Sequence, residues 1–485
     1  MKMSKSRYCR GVQCEKILWL EKTRPDLMEK GDESRLETGK MVGELAKGLF
    51  GEYTDIPYET DMEKRAEMTD RAIRDNAGVI TEASFIWNGN FCSVDILKNF
   101  SGGVEIYEVK SSTKIKDIYI DDAAYQYYVL TNSGLNVRGV FIVHINNEYV
   151  RGENLEIDRL FTIEDVSGRC IEKQDGISDN IARFRQSNGH SQDIDRHCFE
   201  PYPCAFWEYC TRNLPKPNVF DIRGMQTRTK LKKYREGKIS FEDLKDEKIN
   251  PKYLEQIDFE LAGRSPKINK SAIKDILDAL IYPLYFIDYE TCQYAVPEFA
   301  GTKPFQQIPF QYSLHIIAEE GSSMEHREFL ASIDDENMIR TFAERMIGDM
   351  PENGSVIVYN KAFESSRNRE IGEMYPDLAG EMERINSNIV DLMVPFKNRD
   401  YYMREMKGSY SIKYVLPALY PDDSQLNYAN LPVVHNGGEA SQAFLSLKDK
   451  IPSEQKKIRE GLLRYCELDT LAMVKIWEKF LEVVE

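Results

Sequence analysis

The chain has 485 residues, of which 42% are apolar, 11% aromatic and 30% charged; this composition is typical of folded proteins and argues against disordered, collagen-like or low-complexity chains. Its 64 basic and 80 acidic residues give a formal net charge of -16, which argues against a histone-like, purely electrostatic nucleic-acid binder. The length predicts about two to four domains. Apolar runs are short and the first residues carry charges throughout, so we expect a cytoplasmic protein without membrane contact.

The first part of the chain alternates between helical and strand patterns, which is typical of an α/β domain. Apolar residues at helical spacing predict helices, and alternating or continuous apolar runs predict strands. In chain order, the predicted elements are helices at 35–53 and 62–77, strands at 79–87, 91–97 and 104–109, a helix at 119–131 and a strand at 139–145. Glycine and asparagine at 88–90 and 101–103 supply turns between the strands.

The second half also mixes strands and helices, and a charged, mostly helical stretch precedes it. The predicted elements are strands at 284–289, 310–317, 326–330, 355–359 and 388–392, and helices at 335–347, 363–371 and 453–484. In the charged stretch, seven lysines or arginines and one acid lie between Arg223 and Lys238, which is typical of a solvated helix face or a local nucleic-acid contact. We therefore predict a first domain at 1–213, a helical connector at 214–280 and a second domain at 281–485.

Two acidic residues and a lysine on adjacent predicted strands form the first candidate site. Glu108 follows Asp95 by thirteen residues, and Lys110 points to the same strand face as Glu108 because side chains alternate along a strand. Two carboxylates can hold Mg²⁺ ions that activate water and neutralise phosphate charge, while a lysine steadies the transition state. The same spacing also occurs in charged trios on exposed strand faces.

Nine cysteines are unevenly placed along the chain. Cys198, Cys204 and Cys210 fall within thirteen residues, and Cys9 and Cys14 lie near the N-terminus. Because we expect a cytoplasmic chain, these thiols are predicted to be reduced rather than paired in disulfides. The grouping indicates ligation of a metal or cluster, and burial as small apolar side chains is the alternative.

The first domain has the predicted order helix, three strands, helix and strand, and its strands carry Asp95, Glu108 and Lys110. This arrangement resembles the PD-(D/E)XK nuclease core, and more narrowly its RecB-like branch, as in CRISPR-associated exonucleases. The catalytic set that the resemblance implies, including a glutamine on the helix after the E-x-K strand, is Asp95, Glu108, Lys110 and Gln126. In this branch an N-terminal cysteine and a C-terminal cysteine triplet hold an iron–sulfur cluster. The matching positions are Cys14, Cys198, Cys204 and Cys210.

The chain departs from that family's pattern in two places. The triplet reads C-x(5)-C-x(5)-C, wider than the usual first pair, so both a [4Fe-4S] cluster and a zinc site remain open. Cys9 is the rival of Cys14 for the fourth ligand position. Residues 39–43 lack the histidine of the usual G-x-x-x-H motif, and Glu44 or Glu82 is the candidate replacement.

Three acidic motifs occur in the second half. Asp288 and Glu290 lie two residues apart on one face of a predicted strand, and Tyr465 and Asp469 lie one turn apart on a predicted helix. Between them, the run N-x-x-F-E ends at Glu364, at a strand-to-helix junction. Carboxylates from separate elements suit a two-metal site for phosphodiester hydrolysis.

These motifs, in this order, resemble those of the DnaQ-like DEDD exonucleases, which have the RNase H-like fold. The resemblance implies that Asp288, Glu290 and Asp469 bind a pair of Mg²⁺ or Mn²⁺ ions and that Tyr465 orients the attacking water. Glu364 stands where most relatives have aspartate, so its link to the metals is direct or through water. Asp391 looks like the acidic residue that follows the second motif, and we expect a supporting role for it.

The segments 301–316 and 408–421 resemble a prokaryotic family, labelled only as a domain of unknown function, that joins a RecB-like nuclease to a DnaQ-like exonuclease. We therefore expect a nuclease that acts on single-stranded DNA or, alternatively, RNA, with 3′-to-5′ exonuclease action from the C-terminal domain. The chain lacks a G-x(4)-G-K-[ST] helicase motif, so unwinding would need a separate helicase, repair or defence protein. Two alternatives remain: a nucleic-acid-binding scaffold with vestigial sites, and a redox regulator that uses the cysteines.

The second of these segments contains four polar residues with two open interpretations. They either contact a strand backbone or belong to a loop that packs against the catalytic sheet. The residues are Ser409, Tyr410, Ser411 and Lys413.

Overall fold

The computed structural model of the protein describes residues 3–29, 33–188 and 192–485. The chain forms two compact units. Unit 1 contains Met1–Leu214, Thr227–Lys232 and Tyr294–Phe305, and unit 2 contains Pro215–Gln226, Lys233–Gln293 and Gln306–Glu485. Most of the stretch from 214 to 280 therefore belongs to unit 2.

Unit 1 is an α/β unit that begins with a short strand and two helices. Its strands are β1 (Met3–Ser4), β2 (Thr54–Asp55), β3 (Val79–Trp87), β4 (Asn90–Phe100), β5 (Gly103–Lys110), β6 (Val137–Ile145) and β7 (Phe161–Asp165). Its helices are α1 (Lys5–Gln13), α2 (Glu15–Thr23), α3 (Glu33–Lys47), α4 (Met62–Arg74), α5 (Asp117–Asn132), α6 (Ile157–Leu160), α7 (Ser167–Glu172), α8 (Gln174–Gln186) and α9 (Trp207–Thr211).

A mixed sheet in the order β2–β3–β4–β5–β6–β7 organises unit 1, and β1 pairs with β4 in parallel. The pairs β3–β4, β4–β5 and β6–β7 are antiparallel, whereas β5–β6 is parallel. The sheet packs against α5, whose buried face includes Ile120, Tyr125 and Val129. Strand β4 thus lies in the middle of the sheet, next to β5, which carries Glu108.

The turn between β3 and β4 shows why this hairpin forms at its position in the sequence. Asn88 and Gly89 have φ angles of 46° and 73°, and asparagine and glycine tolerate this left-handed conformation better than other residues do. A two-residue turn of this kind matches the twist of the flanking strands. The turn therefore fixes the register that pairs Trp87 with Asn90.

Unit 2 contains a second sheet and, in the described part of the chain, more helices than unit 1. Its strands are β8 (Lys267–Ile268), β9 (Leu284–Gln293), β10 (Gln307–Ile317), β11 (Glu325–Leu330), β12 (Ser355–Val358), β13 (Ile389–Asp391) and β14 (Tyr401–Tyr402). Its helices are α11 (Phe241–Leu244), α12 (Pro251–Ala262), α13 (Lys270–Asp278), α14 (Met338–Asp349), α15 (Lys361–Met374), α16 (Ala379–Ser387), α17 (Val394–Asn398), α18 (Ile412–Leu419), α19 (Gly437–Ser446) and α20 (Pro452–Val484). Helix α10 (Thr227–Arg235) contains residues of both units.

The second sheet has the order β11–β10–β9–β12–β13. Its first three strands are antiparallel, and β12 joins β9 and β13 in parallel. The 33-residue helix α20 starts with Pro452 at its first position, where a proline costs no helix hydrogen bond. Its buried residues include Met473, Ile476 and Phe480, which join a core cluster with Phe286 of β9.

Each strand and helix that the sequence predicts is present, with boundaries that differ by a few residues. In segment 408–421, Ser409, Tyr410 and Ser411 lie in a loop, whereas Lys413 lies in α18, so the loop interpretation is wrong only for Lys413. The short strands β1, β2, β8 and β14 have two residues each and leave no periodic pattern. Among the described residues, no helix combines the length and apolarity needed to span a bilayer.

Candidate functional site

Three carboxylates from two elements converge in unit 2. Asp288 and Glu290 lie on β9 and Asp469 lies on α20, and one oxygen of each lies within 4.8 Å of the others. Within the described ranges, no other three histidine, cysteine or acidic side chains approach one another this closely. Glu290 and Asp469 are each 7% exposed, and Asp288 is half-buried. Hard oxygen ligands in this arrangement suit Mg²⁺ or Mn²⁺.

The electrostatics of this cluster favour a bound cation. Burial and the negative charge of Asp469 raise the pKa of Asp288 and of Glu290 well above the ordinary range. Burial likewise raises the pKa of Asp469, to about 6, against hydrogen bonds from Tyr428 and Tyr465 that lower it. Because a cation stabilises the charged form of each carboxyl group, it would relieve both the burial penalty and the mutual repulsion.

Glu364, in the first turn of α15, lies beside this cluster but outside the group of three converging oxygens. Its side chain is 2% exposed, and its Oε2 atom has no hydrogen-bond partner. Burial raises the pKa of Glu364 to about 8, and its charge contributes to the raised pKa of Asp288. An orphaned, buried carboxylate oxygen is costly, which is consistent with a further contact to a bound ion or water.

A strained turn places Glu364. Asn360, which precedes α15, has φ 103° and ψ 68°, a conformation that non-glycine residues adopt at an energetic cost. The Asp391 carboxylate accepts hydrogen bonds from the backbone N–H groups of Asn360 (3.1 Å), Lys361 (3.0 Å) and Met393 (2.9 Å). Asp391 thus holds the turn that precedes α15.

Two tyrosines and a lysine surround Asp469. Tyr428 Oη donates to Asp469 Oδ1 at 2.6 Å, and the rings of Tyr428 and Tyr465 pack with their centroids 6.0 Å apart. Lys413 Nζ lies 5.4 Å from both ring centroids and donates to the His435 carbonyl at 3.0 Å. No sequence pattern indicates Tyr428 as a site residue, because it lies in a short 3-10 helix outside the recognised motifs.

In unit 1, Glu108 is the centre of a hydrogen-bonded group. It is 1% exposed, accepts from Lys110 Nζ at 2.6 Å and accepts from Gln126 Nε2 at 2.7 Å. Strand pairing between β4 and β5 brings Asp95 next to Glu108, and Asp95 Oδ2 accepts from the Val109 N–H at 2.7 Å. The structure therefore brings together all four residues that the sequence assigns to this site.

Two members of the unit 1 group were missed from the sequence. Asp122 Oδ2 accepts from Lys110 Nζ at 2.7 Å, and its Oδ1 accepts from Gln126 Nε2 at 3.2 Å. Lys5, the first residue of α1, donates to both oxygens of Glu108 at 2.8 and 3.0 Å. Asp122 lies one helical turn before Gln126, a spacing that could have revealed it, whereas no pattern links Lys5 to a residue 103 positions away.

Four cysteines line one cavity of about 40 Å³ in unit 1, together with apolar residues and with the polar residues Lys16, Gln192, Asp193 and His197. The cysteines are Cys14, Cys198, Cys204 and Cys210. Burial raises the pKa of the Cys14, Cys198 and Cys204 thiols, which disfavours free thiolates. Cys9 lies elsewhere, close to Asp122 and Lys110, so the structure places Cys14 rather than Cys9 with the triplet.

The candidate replacements for the missing histidine differ in their surroundings. Glu44 is exposed and forms an ion pair with Lys47 at 2.7 Å. Glu82 has Lys5 among its charged neighbours, and burial raises its pKa. It also has a φ angle of 58°, which is uncommon within a strand. Of the two, Glu82 is therefore the one near the Glu108 group.

Comparison with known proteins matches parts of the chain to proteins of unknown function. A family model described as a domain of unknown function, DUF2779, matches residues 285–411, which include Asp288, Glu290 and Glu364. An uncharacterised protein of Ureaplasma parvum serovar 3, UU173, is 30% identical over 231 residues. The match covers 43% of this chain and 33% of that relative's length. The search of solved structures gives no significant match.

Proposed function

We propose that the protein is a metal-dependent nuclease whose principal active site is the Asp288, Glu290 and Asp469 cluster. The observation that carries the proposal is the convergence of these carboxylate oxygens within 4.8 Å in a setting that raises the pKa of each group. Structural acids are normally paired with a base or solvated. The positive charge of Lys413 lowers the pKa of all three carboxyl groups, but burial outweighs it.

We assign a separate role to each group of side chains at this site. Asp288, Glu290 and Asp469 would hold Mg²⁺ or Mn²⁺, which supplies activation of water and stabilisation of the leaving oxygen when bound. Tyr465, 3% exposed, would orient the water, and Lys413 places a positive charge near a substrate phosphate. With the resemblance to DEDD exonucleases, these roles support 3′-to-5′ removal of nucleotides from single-stranded DNA or, alternatively, RNA.

We also propose a second nuclease site in unit 1, of the RecB-like PD-(D/E)XK type. Asp95 and Glu108 are its candidate metal ligands, Gln126 fixes Glu108 through its amide at 2.7 Å, and Lys110 would face the reacting phosphate. The oxygen ligands fit a hard divalent cation. Both oxygens of Glu108 already have cationic partners, however, so the fit requires a rearrangement at Lys5 or Lys110.

The cysteine-lined cavity supports an iron–sulfur cluster, with zinc as the alternative. Four cysteines also form structural zinc sites, and four thiolates are the ligand set of a [4Fe-4S] cluster. Cys14, Cys198, Cys204 and Cys210 would hold it, joining the two ends of the unit 1 segment.

One experiment tests both proposed sites. Anaerobically purified protein would be incubated with Mg²⁺ or Mn²⁺ and with single-stranded DNA or RNA labelled separately at each end. Asp288→Ala should abolish stepwise loss from the 3′ end, Asp95→Ala should remove a distinct set of cuts, and the exposed control Asp422→Ala should change neither. If the protein binds the DNA or RNA but does not cleave it, a nucleic-acid-binding scaffold with vestigial sites is favoured. If cleavage occurs only after a helicase is added, the nuclease depends on that partner.

A further inference from the structure

Glu108 of unit 1 is saturated with donors. Its Oε1 atom accepts from Lys5 Nζ at 2.8 Å and Lys110 Nζ at 2.6 Å, and its Oε2 atom accepts from Lys5 Nζ at 3.0 Å and Gln126 Nε2 at 2.7 Å. The side chain is almost fully buried. A carboxylate has about four lone-pair sites in all, so little capacity is left for a metal ion while Lys5 stays in place.

Lys5 is held in this position by the segment that precedes it. Met3 is completely buried, and β1 pairs with β4 in a parallel register that sets Met3 against Asn90. Tyr125 Oη donates to the Met3 carbonyl at 2.8 Å, and the Met3 N–H donates to the Gly89 carbonyl at 2.9 Å. The ammonium therefore reaches Glu108 from a fixed backbone rather than from a free end.

The charge around Lys5 is that of a cation site. Lys5 Nζ lies 3.9 Å from Asp122 Oδ1, and Asp95 is a further acidic neighbour. Three acids thus face two ammonium groups, those of Lys5 and Lys110. In unit 2, the cation beside the acidic cluster is Lys413, whose Nζ donates to the neutral His435 carbonyl at 3.0 Å and lies 5.4 Å from the Tyr465 ring centroid.

We infer that Lys5 is a competing cation built into the unit 1 site: its ammonium and a divalent metal ion are alternative partners of Glu108, and metal loading displaces Lys5. This inference rests on the proposed metal-dependent function of unit 1. It assigns Lys5 a positioning role through Glu108, and it makes unit 1 the site of weaker metal affinity. Since a lysine is a flexible point charge, the displaced ammonium remains available to a substrate phosphate.

The test measures metal binding rather than activity. In a full-length background with Asp288→Asn and Asp469→Asn, which removes the unit 2 cluster, Mn²⁺ affinity is measured anaerobically from the electron paramagnetic resonance signal of free Mn²⁺. The variants are Lys5→Met, Lys5→Gln and Lys22→Met. Lys5→Gln keeps a hydrogen-bond donor for Glu108 and guards against misfolding, and Lys22 is an exposed lysine on α2 that controls for the loss of one charge.

We expect Lys5→Met and Lys5→Gln to tighten Mn²⁺ binding by about tenfold, the scale of one charge-assisted hydrogen bond, while Lys22→Met leaves it unchanged. A further Glu108→Gln change should abolish the binding. Unchanged or weaker Mn²⁺ binding in both Lys5 variants overturns the inference but leaves the nuclease proposal standing. If neither the background nor the Lys5 variants bind Mn²⁺, the unit 1 metal site itself is wrong, and the inference is overturned with it.

Discussion

Tyr428 donates a hydrogen bond of 2.6 Å to Asp469 across 41 positions of sequence. The tyrosine is buried, so the bond is shielded from water. A donor that serves a carboxylate stabilises its charged form, and Tyr428 indeed lowers the pKa of Asp469 against the effect of burial. Tyr428 therefore keeps one oxygen of the acidic cluster ready to bind a cation.

The first prediction follows from this bond. Tyr428→Phe should weaken Mn²⁺ binding at the unit 2 cluster by about tenfold near neutral pH, because a hydrogen bond to a charged group contributes on the order of 1.5 kcal/mol. Calorimetric titration in a Glu108→Gln background isolates this cluster. Tyr420→Phe is the matched control, since Tyr420 Oη donates only to the Lys475 carbonyl, at 2.9 Å. Equal affinities in the two variants would refute the role of Tyr428.

The second prediction concerns pH and the stability of the metal-free protein. The pKa of Asp469 is about 6 in the folded state, whereas an unfolded aspartate has a pKa of about 3.9. A group whose pKa is raised by folding stabilises the fold fully below its unfolded pKa and loses that contribution as pH rises through the folded pKa. The metal-free protein should therefore lose stability between about pH 4 and 6, and Glu364, with a pKa of about 8, extends the loss upward.

Asp288→Asn tests the repulsion among the carboxylates of the acidic cluster, which adds to the burial that raises the pKa of Asp288 and of Glu290. At pH 8 without metal, it should raise the free energy of unfolding by about 1 to 2 kcal/mol, because it removes one half-buried acid from the mutually repelling cluster. In a Glu108→Gln background, which removes the proposed unit 1 metal site, the same variant should no longer be stabilised by Mn²⁺. Chemical denaturation with and without Mn²⁺ measures both quantities, and Asp422→Asn, an exposed aspartate, serves as control. A destabilised Asp288→Asn variant would contradict the repulsion argument.

The third prediction separates the cysteines. Cys14→Ser should sharply lower the iron and acid-labile sulfide content of anaerobically purified protein, whereas Cys9→Ser should leave both unchanged, because only Cys14 lines the cavity with the triplet. Elemental analysis together with sulfide determination measures the outcome. Stoichiometric zinc without sulfide would replace the cluster with a zinc site. Loss of iron in both variants would contradict the assignment of Cys14 over Cys9.

A redox role for these cysteines has its own test. If the cluster only supports the structure of unit 1, 3′-end cleavage should be equal with the cluster intact and after its oxidative damage. A change in rate that is reversed by rebuilding the cluster would favour the redox regulator that the sequence left open.

The sequence predicted contacts between residues that lie close together along the chain, and it missed contacts between distant residues. Asp288 with Glu290, and Tyr465 with Asp469, are local pairs that strand and helix periodicity places on one face. The two pairs belong to motifs whose order suggested that they meet, and the structure brings three of the four residues within a few ångströms. Boundaries of the long elements followed from the same periodicity.

The parts that escaped prediction depend on tertiary packing. Lys5 meets Glu108 because a two-residue strand pairs with β4, and two residues carry no periodic signal. Tyr428 meets Asp469 from a short 3-10 helix, where neither composition nor spacing indicates a partner. Asn360 adopts a left-handed conformation. Because asparagine tolerates this conformation but does not require it, the sequence predicts only a strand-to-helix junction here and not the strained turn.

The last prediction tests how that turn positions Glu364. Asp391 accepts three backbone hydrogen bonds, two of them from Asn360 and Lys361. Asp391→Ala removes these acceptors, so the strained turn should relax and Glu364 should shift away from Asp288. We expect a loss of about 2 kcal/mol in the free energy of unfolding and at least a tenfold lower rate of 3′-end cleavage, with little change in substrate affinity.

A second substitution distinguishes strain from simple loss of stability. Asn360→Gly should be tolerated alone, because glycine adopts a φ angle near 100° without steric cost. Combined with Asp391→Ala, it should restore part of the lost free energy of unfolding, because a glycine at position 360 removes the backbone strain. It should not restore the cleavage rate, because the turn that places Glu364 becomes more flexible. Recovery of both quantities, or no loss of either in Asp391→Ala, would show that Asp391 does not position Glu364.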